Sequence, residues 1–403
     1  MSDHAAVATA GGIPAAAPAA PITGLAAQTR RWWAGARPHL IVAVPPWIVA
    51  RVLVLGALAV AHFLVNNLHV HDPAVVAQVH QGLFAWDAGF YRGIAEHGYE
   101  FGAVRHDAVR FFPLLPLAAR GLGTVLGGRA DVALLLIVET SALVLGALVH
   151  HLVLSEGRDP ATARRATWLM ALVPSAFVLV LGYAEAPALA FAVGAFLALR
   201  ARRWWWAAGL CLLCALTRPL GVLLVVPAAV EAGRLLRSRR RLRPGVAAAV
   251  LGAPVGLAVF LVWSWRRYGD LLLPVRVQTA ATHRGTVVNP FTAIWHEGRG
   301  ILQGHHVGSA LHVPWAIVLV ALTVVCFRRW PASYGAFAAA VLAVALSSKN
   351  LDSLERYALG AFPLVLTLAD LVAAQWLDRA VLVLSAAAFE GYALLAFLNA
   401  YVP

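Results

Sequence analysis

Apolar blocks of about 20 residues recur along the chain, and no other property restricts its fold so strongly. The hydrocarbon core of a membrane is roughly 30 Å thick, and a helix needs about 20 apolar residues to cross it. Inside lipid the backbone must satisfy its own hydrogen bonds, so each such block is a helix. Of the 403 residues, 61% are hydrophobic and 13% charged, whereas a soluble domain carries about 25% charged residues. The pattern predicts an all-α polytopic membrane protein.

The formal charge of +13 does not point to nucleic acid. The basic residues are nearly all Arg, with Lys349 the only Lys, and they lie between apolar blocks. That is the distribution the positive-inside rule produces. A nucleic-acid binder shows a basic face with exposed aromatics, and no segment here has one. Cys211, Cys214 and Cys326 all lie inside apolar blocks. Cys211-x-x-Cys214 has no second Cys pair and no nearby His, so it is read as apolar packing rather than a metal or redox motif.

Residues 1–39 are expected to be a disordered cytoplasmic tail, with Arg30, Arg31 and Arg37 holding it inside. The stretch 1–28 is rich in Ala, Pro and Gly and lacks the basic start and apolar core of a signal peptide. The remainder, 40–403, forms one transmembrane unit. Its first span runs from Leu40 to Val65, and further spans cover 131–154, the run ending at Gly182, and 186–199. Residues 207–231 could make one helix, but that would bury Arg218 in mid-membrane at a cost of roughly 2.5–3.5 kcal/mol. It would also place the six Arg of 234–243 outside. Two short helices turning at Thr217-Arg218-Pro219 avoid both problems. Spans near 245–265, 312–327, 331–347, 357–375 and 379–401 complete about eleven crossings, N-terminus inside and C-terminus outside. This arrangement puts 18 of the 32 Lys and Arg residues on the cytoplasmic side. Residues 66–130 and 266–311 become long external segments, and Arg51, in the first span, is expected to snorkel to the interface.

The first external segment is built for more than connection. Asp87 is placed to cap a helix and Gly98 to stop it. Between them Tyr91, Ile94 and Ala95 share a face, as in a helix lying on the membrane surface. A second surface helix starts at Arg110, carries Pro113 and Pro116 in its first turn, and ends near Gly127-Gly128.

The segment Trp86-Asp87-x-x-x-Tyr91-x-x-Ile94-Ala95-x-x-Gly98-Tyr99, followed by Phe111-Phe112-Pro113-Leu114-x-Pro116-Leu117, resembles the PIG-V-like mannosyltransferases. These are bacterial relatives of the second mannosyltransferase of GPI-anchor assembly. Gly182-Tyr183-Ala184-Glu185, Thr217-Arg218-Pro219-x-Gly221, and Glu355-Arg356-Tyr357 with Phe362-Pro363-Leu364 extend the likeness over residues 45–370. Ala184 departs from it, because the family carries a hydroxyl residue there. The resemblance implies a GT-C-type membrane glycosyltransferase. Such an enzyme takes its sugar, here mannose, from a polyprenyl-phosphate donor and passes it to a lipid or glycan acceptor. It also implies an acidic active-site residue in the first external loop, a position only Asp87 fills.

The chemistry asks for the same parts. Inverting transfer needs a base at the acceptor hydroxyl and cations on the leaving phosphate. Asp87 is the expected base, and Arg218, Arg356 and Arg110 are the expected phosphate ligands. Trp86, Tyr91, His97, Tyr183, Glu185 and Tyr357 are expected around the substrate. His97 can also be read as an ordinary helix-end His. No metal set or cofactor is expected, since His283, His296, His305, His306 and His312 are irregularly spaced without an acidic or Cys cluster. The site would face away from the cytoplasm in a bacterial plasma membrane. A transporter or lipid flippase for a lipid-linked sugar is the alternative, but no internal repeat with matched broken helices is visible. A membrane acyltransferase fits less well, because His150 and His151 fall at a cytoplasmic helix end.

Overall fold

Every regular element among the described residues is a helix. These residues are 23–100, 107–238, 243–280, 285–292, 294, 295, 299, 312–348, 351 and 353–403 of the computed structural model. The chain divides into units 1–38 and 39–403, and the packing and site described below belong to the larger one. In chain order the helices are α1 (Thr23–Asn67), α2 (Pro73–Gln81), α3 (Asp87–His97), α4 (Leu114–Val125), α5 (Ala130–Ser155), α6 (Pro160–Leu172), α7 (Glu185–Arg200) and α8 (Trp204–Thr217). They continue with α9 (Val225–Arg237), α10 (Pro244–Tyr268), α11 (Leu273–Gln278), α12 (His312–Arg329), α13 (Ala332–Leu346), α14 (Leu354–Leu359), α15 (Pro363–Leu371) and α16 (Gln375–Phe397). Among the described residues, six helical stretches are long and apolar enough to cross a membrane: Ala34–Asn67, Ala130–Ser155, Pro219–Arg237, Pro244–Tyr268, His312–Arg329 and Gln375–Phe397. Trp204–Thr217 and Ala332–Leu346 are shorter apolar helices.

Several boundaries differ from expectation. Helix α1 begins at Thr23, so the part of the expected tail from there on is helical. Residues 1–22 of that tail lie outside the described residues, as do Lys349, His283, His296, His305 and His306. The segment 66–130, expected to be external, holds a helix the periodicity did not reveal. Asp72 caps α2 by accepting from the Ala74 amide at 2.8 Å, with Pro73 in the first turn. Arg110 ends a short 3-10 turn, Asp107–Arg110, and α4 starts only at Leu114. The expected span 357–375 is broken into α14 and α15, where Gly360 and Pro363 interrupt it.

The reversal at Arg218 is written in close backbone contacts. Gly221 packs so tightly on the last turn of α8 that a Cβ there would overlap the Cys214 carbonyl and the Ala215 amide. In a continuous helix, residues seven apart are separated by about 10 Å, so the chain has doubled back. Gly252 packs on Ala208 and Gly256 on Leu212. Both pairs advance together, so α8 and α10 are parallel neighbours, which requires the intervening Pro219–Arg237 to run the other way. Glycine lets these backbones meet, the usual device for tight helix packing in lipid. Gly221→Ala is expected to cost about 1–3 kcal/mol from overpacking. Gly233→Ala, where a Cβ meets nothing within 4 Å, should be neutral or stabilise by up to about 1 kcal/mol. Thermal unfolding in detergent measures both, and equal midpoints would refute the close approach.

Two polar layers lie at opposite ends of α7, about 22 Å apart by helix rise. At its C-terminal end Arg200 grips Glu156 through two nitrogens, at 2.6 and 3.0 Å, and reaches Glu231 at 3.3 Å. Ser333 donates to Glu231 at 2.7 Å and Tyr334 to Glu156 at 2.9 Å. Nearby, Asp370 receives Arg158 at 3.1 Å and Arg329 at 3.2 Å. This end carries the Arg-rich connections. Arg51 does not snorkel. It donates to Glu139 of α5 at 2.6 Å and stacks over Trp47 at 4.5 Å, while the Trp47 indole donates to the Glu139 carbonyl at 3.0 Å. An intramembrane Arg with an acidic partner inside the bundle has no need to reach for the interface. The other layer begins at Glu185.

Candidate active site

At the N-terminal end of α7 five charged side chains from five separate segments meet. Asp87 opens α3, Arg110 ends the 3-10 turn before α4, and Glu185 opens α7. Arg218 follows α8 in an extended conformation, and Arg356 lies in α14.

Asp87 does not cap its helix, contrary to the sequence reading. The N-cap position belongs to Trp86, and α3 has no side-chain cap. Trp86 has φ 57° and ψ −129°, a conformation that costs a non-glycine residue of order 1–3 kcal/mol and clusters at functional sites. It is held there from both ends. The Trp86 amide donates to Gln78 Oε1 at 3.0 Å, and the indole Nε1 donates to the Ala396 carbonyl at 2.9 Å. The turn also docks on the motif around residue 183. The Gly182 amide donates to the Leu83 carbonyl at 2.9 Å, and the Asp87 amide donates to the Tyr183 hydroxyl at 3.3 Å. The Asp87 carboxylate is thereby released from capping and turned into the cluster.

Arg356 is the hub. Its Nη2 donates to Asp87 Oδ2 at 2.6 Å, its Nη1 to the Pro403 carbonyl at 2.8 Å, and its Nε to Glu185 Oε1. The guanidinium lies 4.8 Å over the Tyr183 ring and 5.8 Å from that of Tyr357. Arg218 pairs with the same Glu185 oxygen and lies 5.7 Å from the Tyr357 ring. Arg110 approaches Asp87 Oδ1 at 3.9 Å and covers Phe111 at 4.8 Å. Gln278 of α11 donates to the Tyr357 hydroxyl at 3.2 Å. Arg218 and Arg356 therefore share one carboxylate oxygen. Three guanidiniums face two side-chain carboxylates and the Pro403 oxygen in a mostly buried cluster. Asp87 is the more open acid, its side chain 20% exposed against 2% for Glu185.

Of the expected substrate residues, Trp86, Tyr183, Glu185 and Tyr357 line or brace this cluster. Tyr91 is buried beside it, edge-on to Phe111 at 5.1 Å. His97 is not there. It sits at the far end of α3, about 15 Å along the helix from Asp87. Its side chain is 65% exposed and lies 3.6 Å from Glu96. Among the described residues no group of His, Cys, Asp or Glu is arranged to hold a metal ion. The sequence reading missed a second buried network directly behind Arg356. His312 Nδ1 lies 2.8 Å from Glu355 Oε1, and the Tyr401 hydroxyl donates to Glu355 Oε2 at 3.1 Å. The only sequence signal was the adjacency of Glu355 to Arg356.

Burial pushes the Asp87 carboxyl up, but Arg356, Arg110 and Arg218 outweigh it and hold the group below its ordinary value. A carboxylate depressed in the folded state stabilises the fold fully above its unfolded pKa, about 3.9. That contribution is lost as pH falls through the depressed value. Stability should therefore hold through the weakly acidic range, with the Asp87 part lost only below about pH 4. Thermal midpoints of wild type and Asp87→Asn across acidic pH read this out: the gap between them should close as pH falls. A constant gap would show that Asp87 does not titrate as described.

Compared with known proteins, the chain matches no family model, and no curated protein matches its sequence.

Proposed function

We propose that this chain is a membrane glycosyltransferase of GT-C type. In this reading it moves a sugar, mannose, from a polyprenyl-phosphate donor to a lipid or glycan acceptor with inversion. The observation that carries the reading is the cluster itself. One accessible carboxylate and three guanidiniums converge at one end of an apolar helical bundle. A phosphodiester donor brings about one negative charge, and Arg forks suit phosphate oxygens. The resemblance of the contributing segments to PIG-V-like mannosyltransferases supports the same chemistry.

In this mechanism the acceptor oxygen bonds to the anomeric carbon as the bond from that carbon to the phosphate oxygen breaks. Asp87 takes the acceptor proton. The leaving polyprenyl phosphate gains a second negative charge, and Arg356, Arg218 and Arg110 stabilise it. The acceptor hydroxyl becomes strongly acidic only as its new bond forms, so an ionised carboxylate suffices even when the guanidiniums hold it below its ordinary pKa.

The same reading places the Arg-rich end of the bundle in the cytoplasm and the cluster on the extracytoplasmic side of a bacterial plasma membrane. Eleven crossings follow when the shorter or broken segments 160–179, 185–200, 204–217, 332–346 and 354–371 join the six long ones. Membranes containing the chain, given labelled polyprenyl-phosphate mannose, should form a mannosylated product that control membranes lack. Absence of any product with folded protein present in the membranes would remove the assignment.

A further inference from the structure

Glu185 is used on one side only. Its Oε1 receives both Arg218 and Arg356, while Oε2 is buried and has no hydrogen-bond partner among the described residues. A buried carboxylate oxygen is rarely left unpaired, and one left so calls for an explanation. Beside it lies a cavity of about 40 Å³, lined by Glu185 and Arg218 and by apolar side chains including Ala188, Leu189, Phe337 and Val341. In this measure a water needs at least about 10–15 Å³, so the cavity holds two or three non-hydrogen atoms. A whole sugar ring does not fit. A hydroxymethyl arm does: its methylene suits the apolar wall, and its hydroxyl can donate to Oε2. Asp87 and Glu185 are held on different nitrogens of the same Arg356 guanidinium. Base and cavity are thus within reach of different parts of one sugar.

Resting on the transferase reading, we propose that this cavity receives the hydroxymethyl arm of the transferred sugar. Glu185 Oε2 accepts its hydroxyl, which makes Glu185 a specificity determinant for hexoses over 6-deoxyhexoses and pentopyranoses. A site built to hydrogen-bond a hydroxyl rejects the analogue lacking it strongly, because the buried group is left unpaired.

The test compares synthetic polyprenyl-phosphate mannose with the 6-deoxymannose and arabinopyranose donors, using purified wild type, Ala188→Val and Glu185→Gln. Wild type should show kcat/KM at least about 100-fold lower for the 6-deoxy donor. Ala188→Val, which fills the cavity and leaves the ion pairs in place, should lower mannose transfer more than 6-deoxymannose transfer. Glu185→Gln should likewise narrow the ratio, whatever it does to the absolute rate. Use of mannose and 6-deoxymannose with similar kcat/KM by the wild type would overturn the inference alone, leaving the cavity to water. Transfer from none of the donors would overturn the transferase reading and this inference with it.

Discussion

Asp87→Asn is expected to lower kcat by about two to four orders of magnitude, the range a positioned general base supplies. The amide keeps the size of the side chain and can still accept a hydrogen bond from Arg356 Nη2, now 2.6 Å from Oδ2. It cannot take the acceptor proton. Because Asp87 does not cap α3, the substitution leaves that helix end unchanged. It does remove one of the two carboxylates facing Arg356, and Glu185 remains to compensate that charge. The variant should therefore fold, bind donor and show a modest drop in thermal midpoint at neutral pH. Single-turnover transfer alongside thermal unfolding separates the two effects. Substantial residual turnover in folded Asp87→Asn would exclude Asp87 as the base.

Arg356→Ala should be the most damaging single change in the cluster for stability. Arg356 is 8% exposed and holds Asp87, Glu185 and the Pro403 carbonyl with different nitrogens. Its removal leaves buried carboxylates short of a partner, a loss that typically costs about 3–5 kcal/mol. Donor binding should fall as well. Arg356→Lys should recover only part of either loss, since an ammonium is a compact point charge and cannot span three acceptors as a fork does. Arg218→Ala should be non-additive with Arg356→Ala, because both cations meet on Glu185 Oε1. Donor affinity and unfolding midpoints for the two single variants and the double variant form the cycle. Additive losses would mean the two guanidiniums act independently.

Much of the helical layout was readable because lipid leaves a chain few options. The paired helices of 207–231 were visible from Arg on both flanks, and the parallel packing of α8 and α10 agrees with that reading. Four of the five clustered charges lie in motifs that stood out as polar or turn-forming within apolar surroundings. What stayed hidden depends on rotation and on distant partners. Asp87 looked like a cap because its position in sequence is right for one. Only the backbone at Trp86 shows its carboxylate turned elsewhere. His97 shares a helix with Asp87, but its side chain emerges in solvent. Glu139, whose partner Arg51 is 88 residues away, lay within an otherwise apolar block that gave no hint of pairing.

That last separation bears on how the protein is made. Synthesis runs from the N-terminus, so α1 meets the membrane while Glu139 is still unsynthesised. Until α5 arrives, Arg51 must be tolerated in or near the hydrocarbon at roughly 2.5–3.5 kcal/mol if it sits at the centre. The apolar length of α1 (34 residues as a candidate span) is ample to offset that. The helix also has freedom to slide until Arg51 sits nearer a headgroup. Arrival of α5 then supplies the carboxylate that draws α1 to its final depth. The ion pair thus acts as a latch that closes only once α5 is in place, so the final depth of α1 is set by a partner 88 residues further along the chain and not by its own apolar length alone.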